Sequence, residues 1–447
     1  MRPAHALISS YLGLILVATV VLCMPISARG GVAVRPVDAL FTATSAVCVT
    51  GLIVKDTAVD WSYFGQGVIL LLIQIGGLGL MTFSTFFLYA MGRRVALRER
   101  VLVRETFGDI LGEDPRAVVR SILKITVFVE GVGALLLFLR FSRDFSVSRA
   151  LAVSVFHSIA AFCNAGFSLF SANLMEYRTD VWVNVVIMVL IVTGGLGFLV
   201  IADIVGSNRR RRDGRSRPFT LHTRMVLVLT ATLIVVGAAA CFLLEIGGAL
   251  SDYSVGTRII SSLFLSVTAR TAGFNTVDMS GLSTATLFVV MLLMFIGASP
   301  GSTGGGIKTT TFGIFLVTAR SRLKGHEEIN VFRRTIPREV SNRSFAVFAT
   351  SLSVVLAFCL ALLVTERRWA GANHDMLRDV TFETLSAFGT VGLSTGITPS
   401  LSTAGRILVS ALMLVGRVGP LTMVMMMVER RQRFGHLEHP HEEIMIG

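Results

Sequence analysis

The chain has 447 residues, of which 53% are hydrophobic and 15% are charged, and its mean hydropathy is +0.72. Soluble domains carry about 25% charged residues, so the composition excludes an ordinary soluble protein and predicts several membrane spans. The net charge of +13 would suit a nucleic-acid partner. The basic residues, however, stand in short clusters beside apolar runs, which is typical of the positive-inside rule.

Eight long apolar stretches predict spanning helices that come in pairs along the chain. The first stretch, Ala6 to Cys23, lacks the small-residue cleavage box of a signal peptide and is therefore interpreted as a helix that is retained. The sixth stretch is interrupted by glycine and proline. The predicted helices lie near residues 7–23, 66–91, 119–140, 181–205, 222–245, 284–320, 344–365 and 404–428.

Each pair of helices encloses a shorter segment that is too weakly apolar to span a membrane. In each segment, ten to fifteen residues of helical pattern lead to small residues, a glycine, and then Leu or Phe. The second helices also repeat a signature, seen as QIGGLGLMTF, VTGGLGFLVI, FIGASPGSTGGG and LVGRVGPLTM. Because the short segments and the second helices repeat at matching intervals, the sequence predicts four copies of one helix–reentrant segment–helix unit. The four glycines are Gly51, Gly166, Gly273 and Gly392.

The charges predict that all four units have the same orientation. Clusters of Lys and Arg follow the second helix of each unit, whereas acidic residues lie in the connections on the other side. Each unit should therefore begin and end in the cytoplasm and dip in from outside, with both termini cytoplasmic. Inverted repeats, which are common in secondary transporters, would alternate the sign.

The expected fold is an all-α membrane protein of four parallel helix–pore loop–helix repeats in a pseudo-fourfold arrangement, with eight spanning helices and four pore helices. The predicted boundaries are 1–95 for the first repeat, 96–212 for the second, 213–325 for the third, 326–430 for the fourth and 431–447 for a cytoplasmic tail.

The reentrant segments are the candidate ion-binding site. Non-helical backbone at membrane depth is tolerated where it is buried in protein or lines a water-filled cavity, and rings of backbone carbonyls can replace the hydration shell of a monovalent cation. The negative C-terminal ends of four short helices would favour a cation there. The alternative is that these segments are tight packing turns. The candidate filter residues are Cys48, Val49, Thr50, Gly51, Cys163, Asn164, Ala165, Gly166, Arg270, Thr271, Ala272, Gly273, Gly389, Thr390, Val391 and Gly392.

Arg270 is the unexpected member of this set, since a positive charge that lined a cation filter would oppose its purpose. We expect its side chain to point away from the pore, toward an acid such as Glu383.

The stretch GASPGSTGGGIKTTTFG, Gly297 to Gly313, interrupts the second helix of the third unit. Pro300 removes a backbone donor, and five glycines between Gly297 and Gly306 lower the helix propensity further. We interpret residues 297–308 as a flexible intramembrane loop below the filter. Two alternatives are a passive kink and a nucleotide site, although Ile307 before Lys308 breaks the GxxxxGK[ST] spacing and no strand precedes it.

The motifs TSAVCVTGL, FCNAGFSL, TARTAGFNTVD and FGTVGLSTG resemble the four degenerate filter segments of the Ktr/Trk/HKT superfamily of potassium transporters. The resemblance covers essentially the whole chain. The chain starts directly with the first unit, which favours the Ktr branch and its membrane subunit. Gly51, where sodium-selective members often carry serine, points to potassium.

This resemblance implies roles for the interrupted helix and for one mid-helix arginine. The loop would be a gate, and Arg417 would place a positive charge beside it that opposes cation passage. Otherwise Arg417 is a snorkelling or ion-paired arginine, because an arginine at the bilayer centre must face protein or water. The gate residues are then Ser299, Pro300, Gly301, Ser302, Thr303, Gly304, Gly305, Gly306, Lys308 and Arg417.

The resemblance also implies partners. We expect a homodimer on a cytosolic ring of KtrA-like nucleotide-binding subunits, with ATP or ADP bound to that partner and contacts to membrane lipid. On this chain we expect no cofactor and no metal beyond transported potassium, no nucleic acid and no enzymatic activity. The expected location is the bacterial cell membrane. Alternative functions are a sodium or mixed-cation transporter, or a carrier for an organic solute.

Overall fold

The computed structural model describes residues 3–94, 115–212, 219–326, 328–367 and 375–419. This part of the chain is mostly helical. The helices are α1 (Pro3–Cys23), α2 (Pro36–Val47), α3 (Tyr63–Arg94), α4 (Pro115–Phe141), α5 (Val147–Cys163), α6 (Val181–Leu196), α7 (Phe198–Arg212), α8 (Leu221–Leu244), α9 (Val255–Thr268), α10 (Thr284–Phe295), α11 (Thr309–Leu323), α12 (Arg338–Thr365), α13 (Met376–Gly389) and α14 (Thr403–Val418).

Three of the described helices are long and apolar enough to cross a membrane by themselves, and a fourth candidate is the bent pair α6 and α7. The three single helices are Val119–Phe141 within α4, α8 and α12. The helices α1, α3 and α10 contain shorter apolar stretches. The predicted count of eight spans therefore stays a prediction. Residues 420–447, which hold the end of the predicted last helix and the predicted tail, lie outside the described residues.

The helices α2, α5, α9 and α13 have 12 to 17 residues, and each lies in the chain between the first and second helices of one predicted unit. Each packs on the first helix of its own unit, and also on the second helix of the unit before it. Thus α3 contacts α5, α6 contacts α9, α10 contacts α13, and α14 returns to contact α2. The contacts between consecutive units therefore form a closed cycle.

Carboxylates join the first and second helices of the third unit, and likewise those of the fourth unit, at one end. Glu245, directly after α8, accepts a hydrogen bond from the backbone N–H of Ser283 (2.9 Å), which caps α10. Glu366, directly after α12, accepts from the N–H of Ser402 (3.0 Å), which caps α14. Each serine in turn accepts from the N–H three residues later, as an N-cap does. The two helices are thereby held in register where they meet.

In the second unit an ion pair holds the corresponding helix ends together. Arg140 near the end of α4 donates to Asp180, the N-cap residue of α6, over 2.5 Å, and also pairs with Asp144 (2.8 Å). Glu245, which joins α8 to α10 in the third unit, had no role in the sequence interpretation; its position directly after an apolar helix was the signal for this contact.

Two features differ from the sequence prediction. The helix predicted near 181–205 is broken at Gly197, where α6 and α7 meet at a bend of 95°. A two-stranded antiparallel hairpin, β1 (Ile329–Val331) with β2 (Arg334–Ile336), follows α11. No strand was predicted there, because the segment is rich in charged residues and lacks a Gly-containing turn signal.

Candidate functional site

The four predicted filter segments have the same backbone conformation. The residue two positions before each glycine is left-handed although it carries a side chain, with φ of 55° at Val49, 59° at Asn164, 76° at Thr271 and 50° at Thr390. A non-glycine residue with positive φ costs about 1–3 kcal/mol and persists where the surroundings impose it. Four such residues at one position of a repeat indicate that the four segments are built alike.

The four glycines lie side by side in a closed order. A Cβ atom added to Gly51 would lie 2.3 Å from the carbonyl oxygen of Ala165, and one added to Gly166 would lie 3.0 Å from that of Ala272. At Gly273 the carbonyl of Val391 is 2.2 Å from the added atom, and at Gly392 the carbonyl of Thr50 is 2.2 Å away. Each glycine therefore faces the carbonyl that precedes the next glycine. Their φ values of 67° to 94° require glycine as well.

Hydrogen bonds to the short helices fix the chain directly before the filter glycine in the first, second and fourth units. The N–H groups of Thr50, Ala165 and Val391 each donate over 2.8 Å to a carbonyl near the end of α2, α5 or α13. In the first and fourth units the glycine N–H also donates to a serine hydroxyl, over 3.0 Å to Ser45 and 3.1 Å to Ser386. These two serines were not predicted as site residues; their signal was a serine six residues before the glycine in both units.

In the third unit the bonds are different. The N–H groups of Ala272 and Gly273 both donate to the carbonyl of Thr268, over 2.9 and 3.4 Å. The hydroxyl of Thr268 donates to the carbonyl of Phe274 (2.6 Å), on the far side of the glycine. The α9 helix end therefore grips this segment from both sides.

Arg270 contacts the neighbouring helix α8, where its guanidinium lies 3.5 Å from the hydroxyl of Thr230. The predicted approach to Glu383 is wrong. The two oxygens of Glu383 accept hydrogen bonds from Ser394 (2.8 Å) and from Thr398. The reason is geometric: α9 packs closely on α8, so a side chain on that side meets Thr230 rather than the fourth unit.

Between α10 and α11 the chain forms a buried loop, residues 296–308, that folds back on itself. Ile296 and Ile307 form a parallel bridge, and the N–H of Ala298 donates to the carbonyl of Gly305 (3.3 Å). Lys308 Nζ donates to the carbonyl of Gly304 (2.7 Å). The loop residues are almost entirely buried.

One side of this loop lies in the break between α6 and α7. The N–H of Ser299 donates to Gly195 (3.1 Å), that of Thr303 to Gly194 (3.3 Å), and that of Phe198 to the carbonyl of Gly301 (3.0 Å). A Cβ atom on Gly197, whose φ is 89°, would lie 2.5 Å from the carbonyl of Pro300. The repeated glycine signature, TGGLGF in the second unit, marked this position in the sequence, but the break at Gly197 was not predicted.

The other side of the loop contacts the filter segments. Thr303 donates through its hydroxyl to the carbonyl of Phe162 (3.1 Å), and the same hydroxyl lies 3.2 Å from the amide group of Asn164. The N–H of Gly305 donates to the hydroxyl of Thr390 (3.1 Å). The loop therefore touches the left-handed residues of the second and fourth segments.

Arg417 connects the loop to the first unit. Its buried guanidinium donates to the carbonyl of Thr303 and to the carbonyl of Gly76 in α3 (2.7 Å). Both of these partners are backbone carbonyls, and the phenol of Tyr11 lies beside the guanidinium as well. An arginine that is compensated by dipoles alone keeps a positive field in its surroundings.

Glu130 in α4 lies behind the second segment. Its carboxylate accepts from the amide of Gln74 (3.2 Å), and the thiol of Cys163 lies 3.9 Å away. The sequence interpretation gave this residue no role. All five cysteines are unpaired by disulfides.

Three comparisons with known proteins extend this description. The family model described as "TrkH: Cation transport protein" matches residues 15–434. The chain is 38% identical to Ktr system potassium uptake protein B of Bacillus subtilis, covering 100% of this chain and 97% of that protein. It is 36% identical to the potassium/sodium uptake protein NtpJ of Enterococcus hirae, covering 100% of this chain and 98% of that protein.

Among solved structures, the potassium transporter TrkH from Vibrio parahaemolyticus matches with a TM-score of 0.73 and 17% sequence identity, covering 97% of this chain and 86% of that one. At this identity the likeness concerns the fold. Together with the family model and the full-length relatives, it shows that the chain belongs to the TrkH family of cation transport proteins, within the Ktr/Trk superfamily, and is a KtrB-like membrane protein.

Proposed function

We propose that the protein takes up potassium across the bacterial cell membrane through a single pore at the centre of the four units. It is a transporter rather than an enzyme, as its relatives are. The carbonyls of Thr50, Ala165, Ala272 and Val391, with the neighbouring filter residues, replace the hydration shell of the ion. The observation that carries the proposal is the closed order of four glycines, each against the carbonyl that precedes the next.

The cyclic contacts of the short helices support this arrangement, since each is placed alike around the glycines. Their C-terminal ends point partial negative charge toward the same region, which favours a cation. We propose accordingly that the four units are pseudo-fourfold repeats and that α2, α5, α9 and α13 are pore helices.

We further propose that the loop from residue 296 to 308 is the gate and that Arg417 sets its barrier. The loop contacts filter residues on one side and the α6–α7 break on the other, so it occupies the space next to the filter. A guanidinium bonded to the loop carbonyl of Thr303 repels a cation that leaves the filter. Opening would need the loop to exchange these contacts for others.

The partners belong to the proposal as well. A relative named as a component of a Ktr system supports a second, cytosolic component, which we propose to be a KtrA-like nucleotide-binding ring under a homodimer of this chain. The basic segments that follow the second helices would face that ring, with both termini on the same side.

A second candidate function, mixed potassium and sodium uptake, is favoured by the name of the Enterococcus relative, a potassium/sodium uptake protein. Uptake of potassium, rubidium and sodium into proteoliposomes distinguishes the two. We expect potassium and rubidium uptake with strong discrimination against sodium, and restored growth of a potassium-uptake-deficient strain in low potassium.

The matched variant for this experiment is Gly273→Ala, whose methyl group would meet the carbonyl of Val391, with Gly256→Ala as the control because open space surrounds that residue. The first should abolish uptake and the second should leave it unchanged. Full uptake by Gly273→Ala would contradict the proposed filter.

A further inference from the structure

The second and fourth units share a side-chain hydrogen bond across the filter segment. In the second unit His157 stands nine residues before Gly166 and Ser168 stands two residues after it. In the fourth unit Glu383 and Ser394 occupy the same two positions relative to Gly392. We call each pair a clamp, because it joins the short helix to the chain that leaves the filter.

The two clamps have nearly the same length, and in both the serine is the donor. His157 Nε2 lies 2.9 Å from Ser168 Oγ, and its Nδ1 lies 2.8 Å from the carbonyl of Val153. A carbonyl only accepts, so Nδ1 carries the hydrogen and Nε2 of the neutral ring accepts from the serine. In the fourth unit Ser394 Oγ donates to Glu383 over 2.8 Å. Both His157 and Glu383 are fully buried.

Each serine also fixes the chain beyond it. Ser168 Oγ accepts from the N–H of Phe170 (3.0 Å), and Ser394 Oγ accepts from that of Gly396 (3.0 Å). Thr398 adds a second bond to Glu383 in the fourth unit. The clamp therefore fixes the position of the chain after the filter glycine relative to the short helix.

The corresponding positions of the first and third units lack this chemistry. Thr42 donates to the carbonyl of Asp38 in its own helix (2.9 Å), and its counterpart beyond the glycine is the apolar Ile53. In the third unit the helix position is Phe264, which has no polar side-chain atom. Since Gly51 and Gly273 each adjoin both Gly166 and Gly392, the two clamped segments lie across the ring from each other.

We propose that His157 and Glu383 are positioning residues that fix the distance across the filter between Gly166 and Gly392, and thereby set the discrimination between potassium and sodium. This inference rests on the proposed function, in which the ring binds a dehydrated alkali cation. A smaller cation needs the carbonyls to move closer, and two clamps on opposite segments oppose that movement at both ends of one diameter.

The test compares Ser168→Ala, Ser394→Ala and the double variant with wild type, in proteoliposomes that contain equal amounts of folded protein. Each serine variant loses one oxygen atom. We expect the KM for potassium and the sodium-to-potassium uptake ratio each to rise about fivefold in the single variants and further in the double, with the maximal rate within about twofold of wild type.

Glu383→Gln retains an oxygen that accepts from Ser394 and should stay near wild type, whereas Glu383→Leu, which also removes the acceptor of Thr398, should shift both values at least as much as Ser394→Ala. Thr42→Val is the matched control at the unclamped position of the first unit and should change neither value. A KM and an ion ratio that remain at wild-type values in both serine variants would overturn the clamp proposal, as would a loss of maximal rate alone or an equal shift in Thr42→Val. Absence of potassium uptake by the wild-type protein would instead overturn the proposed function, and the clamp with it.

Discussion

The second helices of the second and third units are both interrupted, but in different ways. The second unit has a single non-helical residue, Gly197, between α6 and α7, whereas the third has 13 non-helical residues, 296–308, between α10 and α11. The short break bends the chain and exposes backbone groups of Gly194 and Gly195, and the long break supplies the N–H groups that bond to them. One interruption is therefore the seat and the other is the loop that occupies it.

The difference matters because the length of a break limits how far it can move. A single non-helical residue between two packed helices is held in place, whereas 13 non-helical residues can change conformation. The α6–α7 bend is fixed by two helices that pack on their neighbours. The loop depends on contacts with other units, through the seat, the filter segments and Arg417. We therefore expect changes to the loop to alter uptake strongly, and changes to its individual supports to alter it in proportion to the bonds removed.

The largest effect is expected from removing the loop itself. Deletion of Ser302–Gly306 takes away the residues that contact the filter segments and Arg417. Uptake of potassium should rise about 30-fold, which corresponds to about 2 kcal/mol of barrier, as measured by initial rates in proteoliposomes. An unchanged rate would favour the passive kink instead of a gate.

Arg417→Ala is expected to raise uptake about tenfold, since it removes both the positive charge and two hydrogen bonds to carbonyls. Arg417→Lys keeps the charge with fewer donors, and its uptake rate should lie between those of wild type and Arg417→Ala. Uptake kinetics that match wild type in Arg417→Ala would rule out the barrier role.

Gly197→Ala tests the seat without touching the loop. The new methyl group would meet the carbonyl of Pro300, and the left-handed φ adds strain. The loop should be displaced and uptake should rise about fivefold. Gly206→Ala, in the helix α7 that follows Gly197, meets open space and serves as the control; an equal increase there would show that the effect does not come from the seat.

Thr303→Val should give the smallest change in this series. It removes the hydroxyl that donates to the carbonyl of Phe162 but keeps the volume of the side chain. The hydroxyl stabilises the closed loop by about 1 kcal/mol, and it stabilises the open loop by part of that amount through other partners. Its removal should therefore raise uptake about twofold. Thr350→Val, which alters a half-buried threonine bonded within its own helix, is the control. A decrease in uptake would mean that Thr303 supports conduction rather than closure.

Several contacts of the candidate site could not be predicted from sequence, and the reason differs from one to another. Arg270 was expected near Glu383 on charge alone, but helix packing put it against Thr230. Ser45 and Ser386 were missed because a buried hydroxyl in a helix is common, and only the turn beyond the helix brings the glycine N–H within reach. The bend at Gly197 was missed because apolar residues continue on both sides of it.

The sequence by itself determined the family, the membrane character and the interval of the four glycines, since hydropathy and repeat spacing are written in the order of the residues. It also marked the interrupted helix, because Pro300 and five glycines cannot sustain one. The tertiary structure alone decided which carbonyl faces which glycine, which helix break receives the loop, and where Arg417, His157 and Glu383 find their partners. Those contacts join residues up to 341 positions apart, and such pairings depend on how whole helices pack rather than on any local pattern.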